Sequence, residues 1–134
     1  DLLDRHTVLI LVYSSTCSHC VEQLDALREA GDALAAADLE VCVVAGEPAA
    51  SLSAWLTTQQ VFPAKFSADP EHRLFHELGA YDDFNDMPLH ATIYVDPTGR
   101  VLWKDIGYSP FTDIRYLVKE TRRLRQAYPV ATAD

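Results

Sequence analysis

Residues 7–27 read TVLILVYSSTCSHCVEQLDAL, and this stretch decides the fold. Its first part, Thr7–Ser14, is rich in β-branched and aromatic residues and is apolar without interruption from Val8 to Tyr13. A continuous apolar run of that length is the pattern of a strand buried on both faces, as in a parallel sheet. After Cys17 the period changes. Cys20, Val21, Leu24, Leu27 and Leu34 recur at helical spacing, with Glu22, Asp25, Arg28 and Glu29 between them. Leu39–Ala45 (LEVCVVA) is again a short apolar run and predicts a second buried strand. Strand, helix and strand in this order make a βαβ unit, the start of an α/β domain.

The rest of the chain extends that unit. Pro48 opens a helical stretch to about Gln59, with Leu52, Trp55 and Leu56 on one face; Pro suits the first helical turn. Phe62–Ser67 predicts a short strand, and Pro70–Leu78 a helix with Gly79 as its C-terminal cap. His90–Val95 and Arg100–Ile106 flank Asp96-Pro97-Thr98-Gly99, turn residues at the spacing of an antiparallel hairpin. Ser109-Pro110 predicts an N-cap and a proline at the first position of a closing helix. Ile114, Leu117, Val118, Thr121 and Leu124 form the buried face of that helix, and the tail from Tyr128 is expected to fray. The sum is a central mixed β-sheet with helices on both faces.

Size and charge narrow the function. The 134 residues suit a single domain, 1–134, without repeats or a dividing linker. A chain of this length buries roughly two thirds of its unfolded surface, so it needs no staples. The apolar run at Val8–Tyr13 is too short for a membrane span. The net charge of −9 disfavours nucleic acid. That charge is uneven: residues 114–126 carry +4, which leaves −13 on the remainder. The chain opens at Asp1 without Met or a signal segment, as expected of a processed form or of a piece of a longer protein.

Three cysteines are too few for a disulfide framework, but Cys17-Ser18-His19-Cys20 stands where the first strand gives way to the helix. Residues three apart on a helix are neighbours within disulfide range. Cys17, at the helix N-terminus, faces unpaired amides and the positive end of the dipole, which favour the reactive thiolate. The dipole supplies roughly 0.3 to 2 kcal/mol, and one pKa unit is about 1.4 kcal/mol, so it lowers a thiol by about one unit. Anything lower needs a second source. His19 is the available one, and a protonated imidazole there would make the disulfide more oxidising. Cys20, one turn deeper, is the expected resolving thiol. A fixed disulfide or a buried thiol pair is the bland counterpart. A structural zinc site lacks a second Cys-x-x-Cys, and c-type haem is excluded because Val21 follows Cys20.

These residues resemble the thioredoxin superfamily, and its redoxin branch in particular: the TlpA/ResA-like thiol-disulfide oxidoreductases and the AhpC/TSA group. The resemblance runs from about Thr7 to Leu124. It rests on the strand-Cys-x-x-Cys-helix start, on Met87-Pro88 ahead of the strand at His90, and on Gly107 after the last strand. It implies a thioredoxin-like fold in which Pro88 is the family's cis-proline, packed against the disulfide. Pro88 and Met87 would then help hold the incoming substrate chain. Pro88 lies 71 positions after Cys17, which fits an extra αβ insertion between the Cys-x-x-Cys half and the cis-proline half. The implied activity is thiol-disulfide exchange on protein thiols and disulfides by Cys17 and Cys20, tuned by Ser18 and His19. No cofactor is implied. A monomer, exported or tethered outside the cytoplasm, is the expected setting.

The departures are specific. Leu11 stands where thioredoxin has an acid that takes a proton from the resolving thiol, and Thr16 where it has Trp. The peroxiredoxin pattern Pro-x-x-x-Thr-x-x-Cys would need Pro at 10 and Thr at 14, where this chain has Ile10 and Ser14; Ser14 partly imitates the threonine. Thiol peroxidase activity is therefore the second reading rather than the expectation. A non-catalytic docking module is a third. A copper carrier like the Sco-like chaperones is a fourth, in which His90 would join Cys17 and Cys20, although those proteins space their cysteines by three residues.

The remaining candidates carry bland expectations. Cys42 reads as a core residue. His72 and His76, four apart, lack a third ligand. Trp55 and Trp103 read as packing. Asp82, Asp83 and Asp86 precede Met87-Pro88 as a solvated loop, or as a loop beside the thiol that selects basic or neutral partners.

Overall fold

The computed structural model describes residues 5–15, 17–58 and 64–130, and only the backbone of Ser18 and His19. In chain order the elements are β1 (Thr7–Val12), α1 (Ser18–Glu29), α2 (Gly31–Ala36), β2 (Glu40–Ala45), α3 (Ala49–Leu56), β3 (Lys65–Ala68), α4 (Arg73–Glu77), β4 (Tyr81–Asp82), β5 (Met87–Pro88), β6 (His90–Val95), β7 (Val101–Gly107) and α5 (Ile114–Ala127). Five strands form one sheet in the order β3-β2-β1-β6-β7, and β4 and β5 pair separately. β1, β2 and β3 are parallel; β6 runs antiparallel to β1, and β7 antiparallel to β6. This is the mixed sheet that the apolar runs predict, with β1 at its centre and buried along its whole length.

Alternation along the strands divides the core. Val8, Ile10, Val12, Val41, Val43 and Ala45 face α1, α2, α3 and α5, meeting Leu24, Leu27, Leu34, Leu52 and Leu117. Leu9, Leu11, Cys42, Val44, Ala91 and Ile93 face the other way, onto Phe75 of α4. Helices therefore cover both faces. The helix–strand unit α3–β3 occupies the interval where an insertion is expected.

Local chemistry moves several boundaries. The first helical stretch is split at Ala30, whose backbone leaves the helical region before α2 begins at Gly31. Pro48 is the N-cap of α3 rather than a residue inside its first turn. The expected helix end near Gln59 and the strand start at Phe62 lie outside the described residues. Ser109-Pro110 does not start the last helix. The Asp113 carboxylate caps it by accepting a bond from the Tyr116 amide, and Phe111 packs edge-on against Trp103, holding residues 108–113 away from the helix. α5 ends at Ala127, and the tail beyond residue 130 lies outside the described residues.

The β6–β7 turn forms as predicted. Gly99 takes φ +91°, a conformation that glycine adopts without strain. Asp96 is fully buried and accepts bonds from the Thr98 and Arg100 amides and from the Thr98 hydroxyl. Burial alone would raise its carboxyl pKa. The hydrogen bonds from Thr98 and Arg100, with the Arg100 charge, reverse that, and the carboxyl sits below its ordinary range.

Candidate active site

The site begins where β1 runs out. Val12 is its last residue, and the chain turns at Ser14 and Ser15 into α1, with Cys17 as the N-cap in an extended conformation. The Ser14 hydroxyl accepts a bond from the Cys17 amide at 3.1 Å, and the Cys17 carbonyl accepts the first helical bond from Val21 at 2.9 Å. Cys17 is half-buried, whereas Cys20, one turn on, is completely buried. Both are free thiols, as is Cys42. Burial pushes the Cys20 thiol up to about 12, and its hydrogen bond with Cys17 adds to the rise. One thiol is thus accessible and its partner is withheld from water.

β6 brings a third group to the pair. Because β6 lies beside β1, with Ala91 opposite Leu11, its first residue His90 sits next to the end of the strand that leads to Cys17. The Cys17 and Cys20 sulfurs and a ring nitrogen of His90 all lie within 4.8 Å of one another. These three are the group, among the described residues, that could hold a metal ion. His90 faces Gly107 across the β6–β7 ladder, so the glycine that ends the last strand borders the site.

Pro88 lies in β5, two residues before His90, and its peptide bond is not in the expected form. Among the described residues no peptide bond is cis, so Met87–Pro88 is trans, a correction to the cis-proline expectation. The bond lies in a two-residue strand: Pro88 pairs with Tyr81, Met87 with Asp82, and the Leu89 amide bonds to the Ala80 carbonyl at 2.9 Å. An extended trans chain satisfies that pairing. Met87 is exposed.

The three acids lie in this hairpin, which ends one residue before His90. Asp82 accepts bonds from Asn85, the Phe84 amide and the Tyr108 hydroxyl, so it ties the hairpin to the chain just past β7. The Asn85 bonds hold its carboxyl below the usual range. Asp86 accepts from the Tyr81 hydroxyl at 2.8 Å, which raises that phenol. Phe84 at the hairpin tip is 95% exposed.

Several expected residues lie elsewhere. Cys42 is buried on the opposite face of the sheet, consistent with a core role. His76 stacks on Tyr81 with ring centroids 3.8 Å apart, and the His72 ring approaches the Gly46 carbonyl at 3.3 Å. Trp55 packs on Phe66, and Trp103 on Phe111. The side chains of Ser18 and His19 and the whole of Thr16 lie outside the described residues.

Two buried polar residues carry no expectation from sequence, yet they brace the site. Gln23 is fully buried on α1 and donates to the Thr92 hydroxyl and the Phe111 carbonyl, both at 2.9 Å. Glu47 accepts from the Ser15 amide at 3.0 Å, fixing the turn before Cys17 from the end of β2. For Gln23 the signal was its position beside Cys20, Leu24 and Leu27 on the inward face; for Glu47 there was none in the local pattern.

The sequence model of the AhpC/TSA family matches residues 1–104. No curated protein sequence matches the chain significantly. Among solved structures, the chain is similar to AhpC of Enterococcus faecalis, at 18% identity and a TM-score of 0.78, over 100% of this chain and 84% of that one. It is also similar to AhpC of Mycobacterium tuberculosis, at 13% identity and a TM-score of 0.78, over 96% and 74%. A mutant peroxiredoxin 6 of Arenicola marina matches at 13% identity and a TM-score of 0.80, over 98% and 67%. At these identities the likeness establishes the thioredoxin-like fold.

Proposed function

Because the chain belongs to the AhpC/TSA family, a redoxin family of thiol oxidoreductases, we propose that it exchanges thiols and disulfides with a protein partner through Cys17 and Cys20. The observation that carries the proposal is the asymmetry of the pair: Cys17 half-exposed at a helix N-terminus, Cys20 fully buried beside it. The Cys17 thiolate attacks one sulfur of the partner's disulfide. A Cys17–partner bond forms, and the other partner sulfur leaves as a thiolate that takes up a proton. Cys20 then gives up its proton and attacks the Cys17 sulfur, which expels the second partner thiolate and leaves the Cys17–Cys20 disulfide. The reverse sequence oxidises a partner dithiol. The stability of the buried Cys20 thiol keeps it from competing with Cys17 for the first attack.

His19 and Ser18, between the cysteines in sequence, are assigned the tuning of the thiolate. Met87 and Pro88, in the short strand that leads into His90, are assigned contact with the substrate chain. The test is direct. Cys17→Ser should abolish exchange with a model disulfide, and Cys20→Ser should accumulate mixed disulfides on Cys17; exchange at the wild-type rate by Cys17→Ser would sink the mechanism.

A second reading is supported by the Ser14 hydroxyl, which touches the Cys17 amide at the position where the peroxiredoxin pattern has threonine. A hydroperoxide would then be the oxidant. Cys17 takes one peroxide oxygen to become a sulfenic acid and releases an alcohol or water. Cys20 condenses with it, forming the disulfide and releasing water. Stoichiometric loss of peroxide on mixing with reduced protein selects this reading, and its absence leaves exchange with protein disulfides.

A further inference from the structure

We infer that Cys17, Cys20 and His90 form a binding site for one thiophilic d10 metal cation, of the Cu(I) or Zn(II) class, with an open coordination position. The donors are two sulfurs and an imidazole nitrogen within 4.8 Å of one another, and no carboxylate is among them. Thiolate and imidazole select soft and borderline cations and disfavour calcium and magnesium, which take oxygen ligands. Around one such ion, metal–sulfur distances of about 2.3 Å and metal–nitrogen distances of about 2.0 Å place ligand atoms roughly 3.5 to 4.0 Å apart. The triangle therefore has to contract by at most about 1.3 Å, within the reach of side-chain rotation.

The backbone is already built for it. Cys17 and Cys20 stand one turn apart at the start of α1, and His90 begins β6, a strand held between β1 and β7. Only the side chains have to move. Three protein ligands, of which Cys17 and His90 are half-exposed, leave a position open to solvent or to a donor molecule, the arrangement of an exchangeable site rather than a closed structural one. Binding displaces the two thiol protons and involves no electron transfer. It ties up both sulfurs, so the metal-bound form cannot enter the disulfide cycle and the disulfide form cannot bind metal.

The inference uses the same reduced cysteines as the proposed function but does not rest on exchange activity, and its test runs on His90. Reduced full-length protein is titrated anaerobically against a chromophoric chelator preloaded with Cu(I), and in a second arm against one preloaded with Zn(II). One equivalent should transfer in at least one arm, which identifies the ion class. His90→Ala and His90→Gln, each checked for an unchanged melting profile, should weaken that binding by about tenfold or more, since even loss of an outer-shell partner costs about that much. Transfer at wild-type affinity in both variants would overturn the three-ligand site. So would no transfer in either arm, or a bound ion that leaves Cys17 open to alkylation. Failure of the wild-type protein to exchange disulfides while it binds metal would instead remove only the proposed function.

Discussion

At the scale of the residue, the pair works through a difference in environment between two chemically identical groups. Cys20 is fully buried and its thiol is pushed up to about 12, whereas Cys17 is half-exposed. Limited alkylation of the reduced protein near pH 8, read by peptide mass, should therefore modify Cys17 first. Cys20 and Cys42 should be spared until denaturant is added, and faster labelling of Cys20 would contradict the assignment. The same shift has a sign for stability. Between about pH 9 and 12 the unfolded chain releases the Cys20 proton while the folded chain keeps it, so folding stability falls as pH rises through that window. The oxidised protein has no Cys20 thiol to ionise. Denaturant midpoints should therefore fall more steeply with pH above about 9 for the reduced form. At the acid end, Asp96 works oppositely. Its lowered carboxyl adds stability above the ordinary carboxylate range, and this is lost on acidification through its folded value.

At the scale of the element, the parts that follow from period and composition came out where the residues put them. Uninterrupted apolar runs give β1 and β2, and the Asp-Pro-Thr-Gly turn joins β6 to β7. A two-face strand or a tight turn is specified by its own few residues, so local pattern suffices. What was not legible depends on contacts distant in sequence. The start of α5 is set by Asp113 because Phe111 is taken up by Trp103, and Gln23 joins α1 to β6 and to the loop before α5. The trans Met87–Pro88 bond belongs to the β4–β5 pairing and not to the local sequence. Two substitutions test these braces by urea denaturation. Asp113→Ala should cost about 1 kcal/mol, the usual cost of a lost N-cap. Gln23→Leu should cost about 1 to 3 kcal/mol, because it removes the donor to the buried Thr92 hydroxyl and to the part-buried Phe111 carbonyl. A loss below roughly 0.3 kcal/mol in both would show that neither brace matters.

At the scale of the whole molecule, the fold brings together residues that the chain keeps far apart. His90 reaches Cys17 and Cys20 only because β6 returns antiparallel beside β1. The sequence offers the three residues together as a candidate set, but their approach to within 4.8 Å of one another comes only from that pairing. Charge has the same character. A net −9 is a bulk number, yet three of the acids sit in the hairpin that runs into His90, and the +4 stretch lies on α5. Asp82 is engaged by Tyr108 and Asn85 and Asp86 by Tyr81 within the hairpin; Asp83 and Asp86, which do not carry the tie to Tyr108, are the probes of partner choice. Replacing both by Asn should slow exchange with a cationic disulfide peptide by about two- to tenfold at low ionic strength. The effect should disappear at high salt. Equal rates at both ionic strengths would reduce the acidity to solubility alone.

The proposed exchange requires Cys17 and Cys20 to act as one two-electron couple. The most direct measurement is an equilibrium redox titration in glutathione buffers, with each cysteine followed by mass spectrometry after alkylation. Exchange through this pair predicts a single two-electron transition in which Cys17 and Cys20 become protected together while Cys42 stays free throughout. Cysteines that remain unpaired across the whole range, or a disulfide that includes Cys42, would contradict it.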